Sequence, residues 1–246
     1  TTDEMQIMFT DTPGIHKPHN KLDEFMVNVA NESMNETDVL LFVVDATQKI
    51  HETEREIVKS INKTGMPCIL VMNKIDEIKK EDLLPMIADY SSMHDFDAIV
   101  PISAKTGDGV DILIENISEY LEEGPQFYDE DMVTDQPEKQ IAAEIIREKI
   151  LLIYKQEIPY SVEVVVDAYE ESAKMINIRA TIYASRDSQK AILIGKAGSA
   201  IKKLGIMSRG DIEEFTGKKI FLDLNVKVSK DWRDNEAELK NFNYEA

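Results

Sequence analysis

Asn73, Lys74 and Asp76 stand within four residues of one another, directly after the apolar run CILVM at 68–72. An amide, an ammonium and a carboxylate so placed are either loop punctuation or a binding site at the carboxyl end of a strand. A second group with chemical potential is Gly195-Lys196-Ala197-Gly198, which follows AILI and leads into Ser199, Lys202 and Lys203. Two glycines flanking two residues allow a polymer strand to approach the backbone without Cβ clashes. A helix opening at Ser199 would add free N–H groups and a positive dipole end for phosphate. A tight turn is the plainer alternative for the same four residues.

The elements around these residues decide between the readings. In the front half, continuous apolar runs at 5–9 (MQIMF), 39–44 (VLLFVV), 68–72 and 98–102 (AIVPI) predict strands covered on both faces. Between them lie helical periods, clearest at Val110, Leu113, Ile114, Ile117 and Leu121. The pattern is that of a parallel α/β sheet with right-handed crossovers, whose ligands sit beyond the carboxyl ends of the strands. Three strand ends carry short polar motifs: DTPG (Asp11, Thr12, Pro13, Gly14), NKID (Asn73, Lys74, Ile75, Asp76) and SAK (Ser103, Ala104, Lys105). Three motifs therefore converge on one edge.

The chain has 246 residues, 43% of them apolar, which is enough for two domains with ordinary cores. Its formal charge of -19 argues against indiscriminate binding to nucleic acid or membrane, but the charge is uneven. Residues 1–125 hold 10 basic against 25 acidic side chains, whereas 186–233 hold 11 against 6. An acidic front half and a basic island behind it point to two different partners. The single cysteine, Cys68, lies in an apolar run and reads as a small buried hydrophobe, consistent with a reducing, cytoplasmic compartment. No apolar run approaches the roughly 20 residues of a membrane span, and TTDEMQ has no signal-peptide character.

The segment 122–140, EEGPQFYDEDMVTDQPEKQ, carries Gly124, Pro125, Pro137 and seven acidic side chains, and reads as a linker. Domain limits are expected at 1–122 and 140–246, with the linker at 123–139. The back half opens with an amphipathic helix, IAAEIIREKILLIY, followed by alternating strands at 161–169 and 175–184. The AILI run is expected to be a third strand ending at Gly195. The expected order is helix, three strands, the glycine loop, two helices and a strand.

DTPG, NKID and SAK, in this order and on these strand ends, resemble the translation-factor-related class of P-loop GTPases. That resemblance implies GTP/GDP and Mg2+ as ligands. Asp76 would accept two hydrogen bonds from guanine, a pair that adenine cannot offer. Asn73 would bond the base and neighbouring loops, Lys74 and Lys105 would cover the two faces of the purine, and the Ala104 N–H would meet the guanine carbonyl. Asp11 would hold the magnesium shell through water, and the Gly14 N–H would bond the γ-phosphate. Thr12, Pro13, Ile15, Ile75 and Ser103 complete the expected nucleotide site.

Two departures from the pattern matter. The phosphate-cradling motif G-x-x-x-x-G-K-[ST] does not occur in the chain, so the sequence is expected to be a fragment, incomplete at its N-terminus, that binds nucleotide poorly and is inactive as it stands. Ile15 follows DTPG where Ras-like enzymes place a catalytic glutamine. An apolar side chain cannot orient water, so hydrolysis must be slow or use another group. His16 and His19 read as switch-loop residues and not as metal ligands.

The glycine loop, set in the basic island, resembles the G-x-x-G clamp of KH domains, with Gly195, Lys196, Ala197, Gly198, Lys202, Lys203 and Arg209 as the expected RNA-binding residues. The whole chain, including EIIREK, RDSQKAILIGKAG and KVSKDWR, resembles the Era family of ribosome-assembly GTPases. That implies a monomer that binds the 3′ end of small-subunit ribosomal RNA and the 30S subunit, in a GTP-dependent way. It also implies peripheral association with the inner face of the cell membrane. Two other readings remain: an RNA-binding protein with an inert, truncated nucleotide fold, and a protein-contact scaffold. The scaffold is disfavoured because NKID and GKAG have no packing rationale in loops.

Overall fold

The computed structural model describes all residues except Asp3, 13–17, Glu130, Asp131, Val133 and 245–246. The chain forms two compact units: Thr1–His19 with Asp23–Glu130, and Asn20–Leu22 with Asp131–Glu245. The main division, at 130/131, falls inside the acidic segment.

The first unit contains most of α1 (Lys21–Ser33), then β1 (Leu40–Asp45), α2 (Glu52–Thr64), β2 (Cys68–Asn73), α3 (Lys80–Ser91), β3 (Ala98–Pro101) and α4 (Val110–Ser118). The three strands lie side by side in sequence order and are all parallel, with Asp45 opposite Asn73 and Met72 opposite Pro101. The central β2 is apolar from Cys68 to Met72 because it is covered on both faces. Leu70 and Met72 pack with Phe42, Val44, Val58, Ile61 and Tyr90 beneath α2 and α3. Ile69 and Val71 pack the other way, with Val100, Ile102, Leu113 and Ile117 beneath α4. Cys68 is fully buried, and burial pushes its thiol up to about 12, so it is inert.

The run at 5–9 forms no strand, contrary to its apolar pattern. An apolar run becomes a strand only when a neighbouring backbone pairs with it, and none does so among the described residues. Ile7 still packs on the core, whereas Met8 and Phe9 are 51% and 65% exposed. Gln6 fixes the segment by accepting from the N–H groups of Phe127 and Tyr128 at 2.9 and 3.0 Å and donating to the Tyr128 carbonyl.

The second unit runs α5 (Glu138–Ile153), β4 (Val162–Glu171), β5 (Met175–Ala184), α6 (Asp187–Ile194), α7 (Ser199–Thr216), β6 (Lys219–Val228) and α8 (Glu236–Asn241). Its sheet has the order β4-β5-β6, antiparallel then parallel, so this half is α+β. Helices α5, α6 and α7 cover one face. Ile146, Ile150, Leu193, Leu204 and Ile212 interlock there with Ile178 and Ile182. Lys149 of α5 is buried and paired with Asp211 of α7 and with Glu148. The other face receives Phe242, which packs on Tyr183 and Trp232, while the Tyr244 hydroxyl donates to Glu163 at 2.8 Å.

One expected element is corrected: AILI is helical, not a strand. Residues 187–194 bury Gln189 and Leu193, four apart, while Ala191 and Ile192 face solvent, which is a helical period. The start is fixed by the Gln189 side chain accepting from the Arg186 N–H at 3.1 Å. One helix of 18 residues, α7, stands where two were expected after the glycine loop.

Candidate functional site

The carboxyl end of the parallel sheet brings NKID and SAK together by direct hydrogen bonds. Asn73 ends β2, and Lys74 turns the chain with a left-handed φ of 69° into a single 3-10 turn, Ile75–Glu77. The Ile75 N–H donates to the Ile102 carbonyl at 3.2 Å, joining this turn to the end of β3. Asn73 Oδ1 accepts from the N–H of Lys74 at 2.8 Å and of Ala104 at 3.0 Å, and these two donors fix which amide atom is oxygen. Ser103, fully buried, donates its hydroxyl to Asp76 Oδ1 at 2.7 Å. Its own carbonyl accepts from Gly107 and its Oγ from the Thr106 N–H, so the 103–108 loop is closed around it.

The result is an exposed carboxylate with a fixed orientation. Among the described residues nothing bonds to Asp76 Oδ2, and Oδ1 keeps lone-pair capacity beyond the serine. Such a carboxylate can take a parallel pair of N–H donors. The Ala104 N–H, expected to meet the base carbonyl, is here held by Asn73, so a ligand oxygen must share or displace that contact. Lys105 is exposed beside it.

Sequence reasoning missed Asp45. This carboxylate ends β1 next to Asn73 in register, and its Oδ2 pairs with Lys74 Nζ at 2.5 Å. Its Oδ1 accepts from the N–H and hydroxyl of Thr47 at 2.9 and 2.7 Å. The lysine, then Thr47, hold the carboxyl down to about 2, and the lysine is pushed up in return by the same hydrogen bond. The signal was VVDA, a strand end at the same edge as NKID and SAK.

Asp11 and Thr12 are exposed in irregular chain. A single accessible carboxylate suits Mg2+, which keeps water and phosphate oxygens as most of its ligands. Pro13, Gly14, Ile15 and His16 lie outside the described residues. His19 is exposed.

In the second unit, Gly195 to Gly198 link α6 to α7 by one 3-10 turn. Lys196 and Ala197 are exposed at its tip, with Ala197 at a left-handed φ of 50°. The turn is anchored from below, where the buried Tyr154 hydroxyl donates to the Leu193 carbonyl at 2.7 Å and the Gly195 N–H to the Ala191 carbonyl. Lys202 and Arg209 lie one and two further turns along α7, on the rim of a groove of about 340 Å³ between α7 and β6. Its floor is Ile201, Gly205 and Ile206 against Leu222 and Leu224. Lys203 is exposed but does not line it. The spacing Lys202, Gly205, Ile206, Arg209 is one helix face, a period that would have disclosed the apolar floor. A Cβ on Gly205 would stand 3.6 Å from Leu224 Cδ1, so the glycine lets α7 lie close to β6 at this floor.

Among the described residues, no group of three or more His, Cys, Asp or Glu could hold a metal, and no helix is long and apolar enough to cross a membrane.

Residues 1–123 match the elongation factor Tu GTP-binding domain family, and residues 157–233 match the KH domain family. The KH match starts after α5, although that helix contributes Ile146 and Ile150 to the same core. The chain is 47% identical over 245 residues to GTPase Era of Ruminiclostridium cellulolyticum, covering 99% of this chain and 82% of that protein. It is 46% identical over 244 residues to GTPase Era of Syntrophus aciditrophicus, covering 98% and 80%. Among solved structures it resembles an Aquifex aeolicus Era variant bound to GDP·AlF4⁻, with a TM-score of 0.86, 37% identity and coverage of 96% and 81%. It also resembles Era in complex with MgGDPNP and nucleotides 1506–1542 of 16S ribosomal RNA, with a TM-score of 0.87, 37% identity and the same coverage. With a parallel sheet that gathers NKID and SAK at one edge, a glycine loop that opens α7, and such identity over nearly its whole length, the chain belongs to the Era family of GTPases.

Proposed function

We propose that this protein binds and hydrolyses GTP at the carboxyl edge of its parallel sheet. Its second unit binds single-stranded RNA of the small ribosomal subunit, toward the 3′ end, in the service of subunit assembly. The observation that carries the reading is the Asp76 carboxylate, exposed yet aimed by the buried Ser103, in the same chain as an exposed G-x-x-G turn above a cation-rimmed groove. Era bound to MgGDPNP and a 16S fragment supports the pairing of these two ligands.

In the first unit, Asp76 reads the ring N–H and amino group of guanine, the stems of Lys74 and Lys105 wall the purine, and Asp11 holds Mg2+ through water. The magnesium ion would neutralise charge on the phosphates. In the second, Lys196 and the N–H groups at the start of α7 meet phosphates, Lys202 and Arg209 add charge, and bases enter the apolar groove.

Competition titrations on the full-length protein test both halves. A fluorescent GDP should be displaced by GTP and GDP but not by ATP, and a labelled single-stranded oligonucleotide from the rRNA 3′ end should bind better than a duplex of equal length. Equal displacement by ATP would remove the guanine assignment, and equal binding of duplex would remove the KH assignment.

A further inference from the structure

We infer that Asp45 is a positioning residue for the guanine site: anchored by Thr47, it holds Lys74 by its ammonium so that the lysine's butylene stem is laid down as a wall of the purine pocket. The inference deepens the proposed guanine reading of NKID and rests on it.

Lysine is a poor wall on its own. Its four-carbon stem is flexible, and ordering it on ligand binding costs side-chain entropy. Here both ends of the stem are fixed before any ligand arrives. The backbone end is set by the left-handed φ of 69° at Lys74, and the distal end by the 2.5 Å pair with Asp45 Oδ2. Asp45 itself cannot swing, because Oδ1 takes two hydrogen bonds from Thr47 and its backbone lies opposite Asn73 in the sheet, where the Ala46 N–H donates to the Asn73 carbonyl at 2.9 Å. The carboxylate that aims the lysine is thus built into the strand adjacent to the one that carries the lysine.

The pairing also sets what Lys74 contributes. With its charge already matched by Asp45, its role at the pocket is that of an apolar surface, while the purine donors are read by Asp76. Wall and reader are therefore separable. Losing Asp45 should weaken every purine nucleotide that shares the wall and leave the preference for the amino group intact.

The test is equilibrium titration of a fluorescent GDP into the full-length protein, with GDP and inosine diphosphate as competitors. Asp45→Ala should weaken both competitors by about three- to tenfold, the cost of ordering one long side chain. The GDP-to-inosine diphosphate ratio should not change. Lys74→Ala should weaken binding similarly, the double variant should be no worse than either single one, and Asp45→Glu should recover part of the loss because it keeps the charge. Unchanged affinity in Asp45→Ala, additive losses in the double variant, or a changed ratio would each overturn the inference. If the unsubstituted full-length protein binds no guanine nucleotide, the guanine reading of NKID fails first and takes this inference with it. That result is distinct from binding which Asp45→Ala leaves untouched.

Discussion

Ser103 donates its hydroxyl to Asp76 Oδ1 at 2.7 Å across 27 residues of sequence, and the serine is wholly buried while the aspartate is exposed. A buried donor that points outward fixes one oxygen of a carboxylate and leaves the other to a ligand. The loop that carries Ser103 is held by its own turn bonds and by the strand end beneath it, so the carboxylate is aimed before any ligand binds. Such preorganisation lowers the ordering cost of recognition.

The first prediction follows from that bond. Asp76→Asn should cost GDP at least about a hundredfold in affinity, because an amide cannot accept two N–H bonds side by side, and it should gain xanthosine diphosphate, whose carbonyl replaces the amino group. Ser103→Ala should cost about three- to tenfold, the range of one hydrogen bond, by freeing the carboxylate to rotate. Competition against a fluorescent GDP measures both. Equal GDP affinity in the two variants and the unsubstituted protein would remove Asp76 from the base site.

Much of this edge was legible in the sequence, and the reason is burial. The runs at 40–44, 68–72 and 98–101 are apolar at every position, and helices cover both faces of the central one, so the polar residues after them had to lie at the edge where ligands bind. What could not be read depended on partners far along the chain. Asp45 looks like turn chemistry after a strand, and it is, through Thr47; its second role needs Lys74, 29 residues on. The AILI run misled for another reason. Four apolar residues in a row fit a strand or a buried helix equally well, and only the burial of Gln189 with Leu193 decides for a helix. Residues 5–9 read as a strand because composition reports apolarity, not whether a pairing neighbour exists.

The second prediction concerns the charge state of Asp45. Its carboxyl is lowered to about 2 by Lys74 first and Thr47 second, so it should titrate near that value when followed by NMR of the side-chain carbon. A depressed carboxylate lends stability that is complete above its ordinary value of 3.8 and is lost as the pH falls toward 2. Because Lys74 is exposed and Asp45 is only partly buried, the effect on unfolding should be slight. Lys74→Ala should move the titration upward, though not fully, since the Thr47 bonds remain. An unmoved titration would mean that the pair seen here does not persist in solution.

The third prediction separates the two glycines of the loop. A Cβ at Gly195 would stand 2.6 Å from the Ala200 Cβ and 2.9 Å from its nitrogen, with φ at +72°, whereas a Cβ at Gly198 meets nothing within 4 Å. Gly195→Ala should therefore lower the stability of the second unit by about 1–3 kcal/mol through overpacking, with backbone strain in addition. Gly198→Ala should cost about 1–2 kcal/mol from its left-handed backbone alone. Urea unfolding followed by circular dichroism ranks them. A Gly198→Ala variant that is the less stable of the two would contradict the close approach of α6 and α7 at Gly195.

The last prediction addresses RNA. Lys196 and Ala197 are exposed at the tip of the turn, so replacing both with aspartate, Lys196→Asp with Ala197→Asp, puts two negative charges where phosphates would lie without disturbing the core. Ala197 already has a left-handed φ of 50°, a conformation aspartate tolerates better than most residues, so the fold should survive. Binding of a single-stranded rRNA oligonucleotide should fall to background at physiological salt. Lys202→Ala, on the rim of the groove and not at the tip, should weaken every sequence alike and reduce the salt slope by about one counterion. Ile206→Asp should act differently again: Ile206 is 54% exposed on the floor of the groove, and a charge there should reject bases while leaving the phosphate contacts, so the salt slope should stay as it was. Fluorescence titrations at several salt concentrations, with circular dichroism as the folding control, read all three. RNA affinity that survives the double aspartate substitution would return the Gly195–Gly198 segment to the status of a tight turn.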